Sequence, residues 1–385
     1  MALADSDSTA SIFVAGDFCP QNRISQLQEV DPKVLFSPQL RDVISNSNYA
    51  IVNLEAPIWG QGCKKIKKSG PNLICSEKSI NTLKANSFTC VTLANNHIMD
   101  YGEEGLNNTI SALNNEGIEY VGVGKNSRVA LEPLLKNING ISMAFINCCE
   151  YEFCIAGNDS AGAYHLDISR LYYQLQELKN KVQYTFVIIH GGVEHHRYPT
   201  PRMQRLYRLI IDAGASVVIN HHQHCYCGYE KYHNHYIFYG LGNFCFDCGP
   251  RNQEWHEGFA LLFHLSPKTL TYEFLPILQC KEKPLVELLS GDEKERFNAE
   301  LAEISKAIID NDELYKELVL FSQKKKREFD YYFSPYNNRF LSALYVRGFL
   351  PDLFSKSRWF NILNAIRCES HRERLINYIE SKCYE

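Results

Sequence analysis

In the stretch SVVINHHQHCYC, residues 216–227, an apolar run leads straight into His221, His222 and His224. Side chains alternate across a strand, so His222 and His224 should share a face, with His221 opposed to them. Two imidazoles on one face can share a metal ion, or each hold one of two neighbouring ions. The same pair could also be polar residues in a turn, so the weight must come from elsewhere in the chain. Eight of the 13 histidines lie between His190 and His235. Other metal-competent side chains follow apolar runs in the same way. Asp17 follows SIFVAG, Asn53 and Glu55 close YAIVNLE, Asn95, Asn96 and His97 close TLANNH, and His190 closes TFVIIH. Carboxylate, imidazole and amide oxygen together suit Mn, Fe or Zn better than Ca.

Those runs are the elements that must position the chemistry. Candidate strands cover 11–16, 49–54, 88–94, 142–147, 185–189, 216–220, 235–242 and 258–265. Several are apolar throughout, the pattern of strands buried on both faces. Between them, DYGEEGLNNTISALNNEG spaces Leu106, Ile110 and Leu113 as one helical face, with Gly117 as its stop. TPRMQRLYRLIIDAG offers Thr200 as an N-cap, Pro201 in the first turn and Gly214 at the exit. Strands alternating with helices imply an α/β fold. In such sheets ligands gather beyond the carboxyl ends of the strands. Five separate strands deliver a metal-competent side chain to that edge, which favours a functional H-x-H. After residue 285 the strand pattern stops and a charged helical pattern takes over. The reading is a catalytic domain over 11–285 and a helical appendage over 286–385. Within the appendage KKKR, 324–327, and FDYYFSPY, 329–336, form either a docking surface or a solvated face over a packed stripe.

A chain of 385 residues with a net charge of only −4 gives no general basic surface for nucleic acid. No run of 18 uncharged apolar residues suggests a membrane span. The amino terminus lacks a basic segment followed by an apolar one, so no secretory signal is expected. The 14 cysteines, mostly in or beside apolar runs, are then read as reduced thiols in a cytoplasmic protein.

The pieces GD at 16–17, NLEAPI at 53–58, LANNHIMDYGEEGL at 93–106, IHGGVEH at 189–195, INHHQH at 219–224 and YGLGNF at 239–244 carry a resemblance. They resemble the CapA-type capsule-biosynthesis (poly-γ-glutamate capsule) family, itself similar to the calcineurin-like metallophosphoesterases. The likeness covers residues 11 to about 265 and not the helical tail. It implies a four-layer αββα sandwich with a metal centre at one edge, holding one or two divalent transition metals. Carried over by position, it implies Asp17 and His224 at one metal, Asn96, His190 and His222 at the other, and Glu55 between them. It implies that His97 donates a proton to the leaving group or stabilises developing charge. Metallophosphoesterases carry D-x-H at the first strand, where this chain has Asp17-Phe18-Cys19; the CapA-type pattern also lacks that histidine. Cys19 is either a thiolate on the face of Asp17 or a buried apolar residue.

Glu194 matches the acidic residue of the family's H-x-G-x-E pattern, as a general base or as a group orienting a histidine, unless it is an exposed loop glutamate. Asp100 is a catalytic residue or, with Glu103 three positions on, an N-cap. Asn53, Asn95 and Asn243 are expected to contact substrate; Asn243 could instead buttress the site or serve a turn. The loop GQGCKKIKKSGP, 60–71, is a cationic lid for an anionic substrate or a solvated loop. Cys225, Cys227, Cys245 and Cys248 are a zinc site or paired buried thiols. His195, His196, His233 and His235 flank the site without a ligand position. The expected function is metal-dependent hydrolysis of phosphoesters in bacterial capsule or surface-polymer synthesis. The alternatives are hydrolysis of γ-glutamyl amides of polyglutamate, or a weakly catalytic subunit among capsule-synthesis partner proteins.

Overall fold

The computed structural model describes residues 9–385 apart from 250, 328–332, 337, 368–370, 373, 374, 377, 378, 380–382, 384 and 385. Part of FDYYFSPY lies outside the described residues. The chain divides into two compact units, Met1–Glu317 and Leu318–Glu385.

The first unit begins β1 (Ala10–Cys19), α1 (Arg23–Gln28), α2 (Pro38–Asn46), β2 (Tyr49–Leu54), α3 (Lys78–Ala85), β3 (Cys90–Thr92), α4 (Gly102–Glu116) and β4 (Glu119–Val121). It continues β5 (Val123–Gly124), α5 (Ser127–Ala130), β6 (Leu134–Ile138), β7 (Ile141–Cys149), β8 (Gly162–Ala163), α6 (Ile168–Leu178), β9 (Tyr184–His190) and α7 (Pro201–Asp212). Then come β10 (Val217–His221), β11 (Tyr229–Tyr232), β12 (His235–Phe238), β13 (Asn243–Phe246), α8 (Gln253–His256), β14 (Glu257–Leu265), β15 (Leu270–Gln279) and β16 (Val286–Leu288). Helices α9 (Gly291–Ile309) and α10 (Asn311–Lys324) follow. The second unit starts within α10 and includes α11 (Arg339–Val346) and α12 (Lys356–Arg367).

Two large sheets and the two-stranded pair β5-β8 are described in the first unit. One runs β16-β15-β14-β1-β2-β3-β4, with β13 also paired to β1; the other runs β11-β12-β10-β9-β7-β6. In the first, β1 to β4 are parallel; in the second, β7, β9, β10 and β12 are. Ile12 and Val14 of β1 face one core with Phe145, Phe186 and Phe238 of the opposite sheet. Aromatic pairs bridge the sheets, Tyr49 with Phe145 at 5.5 Å and Phe186 with Phe263 at 5.3 Å between centroids. Phe13 and Ala15 face the other way, into a core with Leu40 and Ile44 of α2, Ile80 and Leu83 of α3, and Leu106 and Leu113 of α4. Helices α6 and α7 cover the second sheet through Leu171, Leu175, Tyr207 and Ile211. The layers are therefore helix, sheet, sheet, helix, and β1 is apolar on both sides because both sides are covered.

Helix α7 starts where its cap residues place it. The Thr200 side chain accepts from the Met203 N–H at 3.2 Å and Pro201 occupies the first turn. Helix α4 ends on Gly117 in the left-handed region, φ 63°. The segment read as an appendage from 286 opens with β16, which pairs with β15, and α9 buries Phe297, Leu301 and Ile308 in the first unit's core.

The first strand is irregular near its end. Its pairing shifts register between Ala15 and Asp17 against β2, and between Asp17 and Phe18 against β13. An irregularity of this kind re-aims a side chain. Gly16 lies against the Gly242 carbonyl so closely that a Cβ would collide with backbone, and Gly242 itself has φ +77°. Backbone cannot yield as a side-chain end can. Gly16→Ala is expected to lower unfolding free energy by about 3 kcal/mol or more, read from urea unfolding. Wild-type stability in that variant would refute the close approach.

Candidate metal centre

Strand ends from both sheets meet at one edge. Asp17 stands at the register of Asn243 on β13 and Asn53 on β2, while His190 and His221 are paired at the ends of β9 and β10. The side chains of Asp17, Glu55, Asn96, His190, His222 and His224 are all buried. Among the described residues, Glu55, His190 and His222 bring donor atoms within 4.8 Å of one another, and so do Asp17, Glu55 and His224. Glu55 belongs to both groups.

The strand logic for the histidines needs correction. Strand β10 ends at His221, and the next turn holds His222 at φ 97° and His224 at φ 55°. Left-handed backbone at a residue with a side chain costs roughly 1–2 kcal/mol and collects at functional sites. That turn, rather than strand alternation, brings His222 and His224 to one pocket. His221 is not opposed to them: its Nδ1 lies 3.8 Å from Asp17 Oδ1 and has no hydrogen-bond partner among the described residues.

The distances resemble those of atoms sharing an ion. His190 Nε2 is 3.0 Å from Asn96 Oδ1, 3.1 Å from His222 Nδ1 and 3.7 Å from Glu55 Oε1. Donors about 2.1 Å from one ion and 90–110° apart stand about 3.0–3.4 Å from each other. On the other side, His224 Nε2 is 3.7 Å from Glu55 Oε1 and its Nδ1 is 2.9 Å from Asn243 Oδ1. The Asn243 amide nitrogen donates to the His224 and Trp255 carbonyls, so its oxygen accepts and His224 Nδ1 carries the proton. His224 Nε2 is thereby left with a lone pair facing Glu55.

Electrostatics point the same way. Both Glu55 carboxylate oxygens are buried and, among the described residues, have no hydrogen-bond donor. Burial, then the facing Asp17 carboxylate, push Glu55 well above the usual carboxylate range. Burial pushes Asp17 up to about 7 against the opposing hydrogen bonds from Asn53 and the His222 N–H. Burial holds His190, His222 and His224 below the ordinary histidine value, and His221 down to about 3. Neutral imidazoles and orphaned carboxylate oxygens lack one thing, a cation. The residues present fit a divalent metal.

The neighbouring residues differ from expectation in instructive ways. Asn53, Asn95 and Asn243, read as substrate contacts, have their amides engaged by protein. Asn53 donates to Asp17 Oδ1 at 2.8 Å and accepts from Thr92 and Asn95 at 3.2 and 3.3 Å. Asn95 donates to the Leu54 carbonyl at 2.8 Å. These amides brace the donors. Asp100 is no N-cap: α4 is preceded by Tyr101 without a side-chain cap, and the Asp100 carboxylate turns to His97 Nδ1 at 2.6 Å. His97 is buried beside Asn96. Glu194 lies exposed after β9, its charge acting on Glu55 and His222. Cys19 is fully buried and its thiol is pushed up by burial and by Cys75, so it stays a thiol. Among the described residues no cysteine joins a metal-competent group.

Two positions escaped the sequence reading. Lys68, one of four similar lysines, is buried against Asp100, and Glu152 reaches within 4.0 Å of His222 Nε2. Neither carries a signal in the sequence beyond its charge.

The profile of the family described as Bacterial capsule synthesis protein PGA_cap matches residues 11–248. Capsule biosynthesis protein CapA of Bacillus anthracis is 32% identical over 214 residues, covering 54% of this chain and 52% of that protein. PGA biosynthesis protein CapA of Bacillus subtilis is 28% identical over 247 residues, covering 63% and 65%. The chain thus spans about half to two thirds of these curated relatives. A probable polyglutamine synthesis accessory protein of Mycobacterium tuberculosis is 27% identical over 164 residues, covering 39% and 43%. Among solved structures, a 5'-nucleotidase precursor from Thermus thermophilus superposes with a TM-score of 0.41 at 12% identity, covering 76% of this chain and 58% of that one. Among the described residues no helix is long and apolar enough to cross a membrane.

Proposed function

The chain belongs to the bacterial capsule synthesis protein PGA_cap family, and from that premise we propose that it is a metal-dependent hydrolase of phosphoesters acting in capsule or surface-polymer synthesis. The observation that carries this reading is Glu55, wholly buried, its two oxygens without donors, between His190 and His222 on one side and Asp17 and His224 on the other. In this reading Asn96, His190 and His222 would hold one cation and Asp17 and His224 another, with Glu55 between the two groups; the metal would be Mn, Fe or Zn. Bound there, such ions supply Lewis acidity at the oxygen under attack. The protein's own part is orientation and proton handling. Asn53 fixes Asp17, Asn243 fixes His224, and Asp100 fixes His97. His97 manages the proton at the leaving group, a contribution of typically 10²–10⁴-fold. Glu194 is the candidate for a second proton-handling group at the exposed side.

A second reading, hydrolysis of γ-glutamyl amides, is favoured by relatives named for PGA biosynthesis and polyglutamine synthesis. The free, mostly buried thiols fit a reducing compartment, which supports a cytoplasmic setting. Partner proteins of polymer synthesis belong to the same reading. The test is metal analysis of the purified chain followed by turnover of bis(p-nitrophenyl) phosphate, p-nitrophenyl phosphate and γ-linked polyglutamate. One to two transition metals per chain with chelator-sensitive release of nitrophenol is the expected result. Cleavage of polyglutamate alone would transfer the reading to amides. A metal-loaded chain inert toward all three would sink the hydrolase.

A further inference from the structure

The loop between Ile58 and Cys75 is tied at its base by a bridge between those two residues. Its glycines and four lysines suggested either a lid or a solvated surface. Lys64, Lys65 and Lys67 are exposed, yet the Lys68 side chain is only 3% exposed. It forms an ion pair with Asp100 Oδ1, and Asp100 is fully buried. The same aspartate collects much of the loop. Its carbonyl accepts from Ile66 N–H at 3.0 Å and from the Asn72 amide at 2.9 Å, and its Oδ2 accepts from Leu73 N–H at 2.6 Å. Oδ2 also meets His97 Nδ1 at 2.6 Å. One residue therefore fastens the loop and the histidine together.

We propose that Lys68 is a positioning residue for His97, acting through Asp100, so that a docked lysine loop is the condition for a correctly held imidazole. This rests on the reading of His97 as the group that handles the leaving-group proton. The chemistry is specific. An ion-paired carboxylate can only accept, so the proton between Asp100 Oδ2 and His97 sits on Nδ1. Lys68 Nζ lies 3.2 Å from the same Nδ1. Both atoms are then donors, so that contact is no hydrogen bond, and Lys68 works by balancing the Asp100 charge. Nδ1 is thereby occupied and Nε2 is the atom left to exchange a proton with substrate. Without the ammonium, a buried carboxylate with no counter-charge would have to take a proton, admit water or swing outward. Each of those releases the ring and the loop together.

The experiment compares Lys68→Met with the exposed-lysine control Lys67→Met in the full chain, with metal content and circular dichroism recorded. Long-range proton–nitrogen NMR on histidine-labelled protein reads the His97 tautomer, assigned with His97→Ala. Trypsin cleavage at Lys64 and Lys65 reads loop docking. The wild type and Lys67→Met should show one Nδ1–H form; Lys68→Met should lose it and be cut at least about tenfold faster. Lys68→Arg, which restores the charge, should recover both signals. If Lys68→Met matches Lys67→Met in tautomer and cleavage, the proposal is overturned. Should Lys68→Met not fold, Lys68→Gln carries the same comparison. Turnover of bis(p-nitrophenyl) phosphate separates the two levels. Full activity in His97→Ala overturns the role of His97, and lost activity there with an unchanged Lys68→Met overturns only the role of Lys68.

Discussion

Replacing His190 with alanine is expected to strip the chain of bound metal and of turnover together, each by at least about 100-fold. A residue that merely orients a metal-binding histidine is typically worth 10–100-fold in affinity, and His190 is placed as a direct donor. Its Nε2 is the atom on which the geometry converges, in reach of Asn96, His222 and Glu55 at once. Alanine also leaves Glu55 facing an empty volume in a pocket that already lacks donors. Stability should move much less, since His190 ends β9 and the strand's packing comes from Phe186 to Ile189. The comparison is elemental analysis and chelator-sensitive hydrolysis against His233→Ala, whose side chain is exposed. Undiminished metal in His190→Ala would end the case for this centre.

Part of this cluster is legible in the sequence. Parallel strands buried on both faces must be apolar to their ends, so a polar residue just beyond stands out, as Asp17, Glu55 and His190 do. Nothing similar marks the convergence of His222 and His224, which depends on a left-handed turn after β10 that strand periodicity cannot encode. Lys68 looked like Lys64, Lys65 and Lys67, because burial of one lysine among four is decided by a contact with Asp100, distant in sequence. The sequence leaves Asn243 open between substrate contact, buttress and turn residue, because its strand, β13, is four residues long and pairs with β1 far away in the chain. The three-residue β16 was hidden in the same way, and with it the fact that α9 packs into the first unit. Local pattern carried the long elements; short ones rest on distant pairing that a single chain does not display.

The Glu55→Gln variant should show what the site is for by becoming more stable and less useful. Burial and the neighbouring Asp17 raise the Glu55 carboxyl, and burial raises Asp17 to about 7 from an ordinary value of 3.8. A carboxyl raised in the folded state stabilises fully below its unfolded value, and that stability is lost as pH climbs through the folded value. The histidines have the opposite sign, being held low, and weaken the fold only as pH drops below about 6.5. Above that pH they are neutral in both states, so the carboxyls alone set the slope. In chelator the wild type should therefore lose up to about 1.4 kcal/mol per pH unit for each of these carboxyls, over the range where it is ionised in the unfolded chain and still protonated in the folded one. Glutamine keeps the shape and removes one of the two, so Glu55→Gln should be more stable than wild type at pH 8 without metal. Adding Mn should reverse the order. A wild-type site at 1,000 times its dissociation constant gains about 4 kcal/mol, while glutamine offers a bridging position no charge. Urea unfolding at pH 6.5 and pH 8, with chelator and with Mn, reads all four corners. A Glu55→Gln chain less stable than wild type in chelator at pH 8 would mean that Glu55 is structural, and that the buried carboxylates were not waiting for a cation.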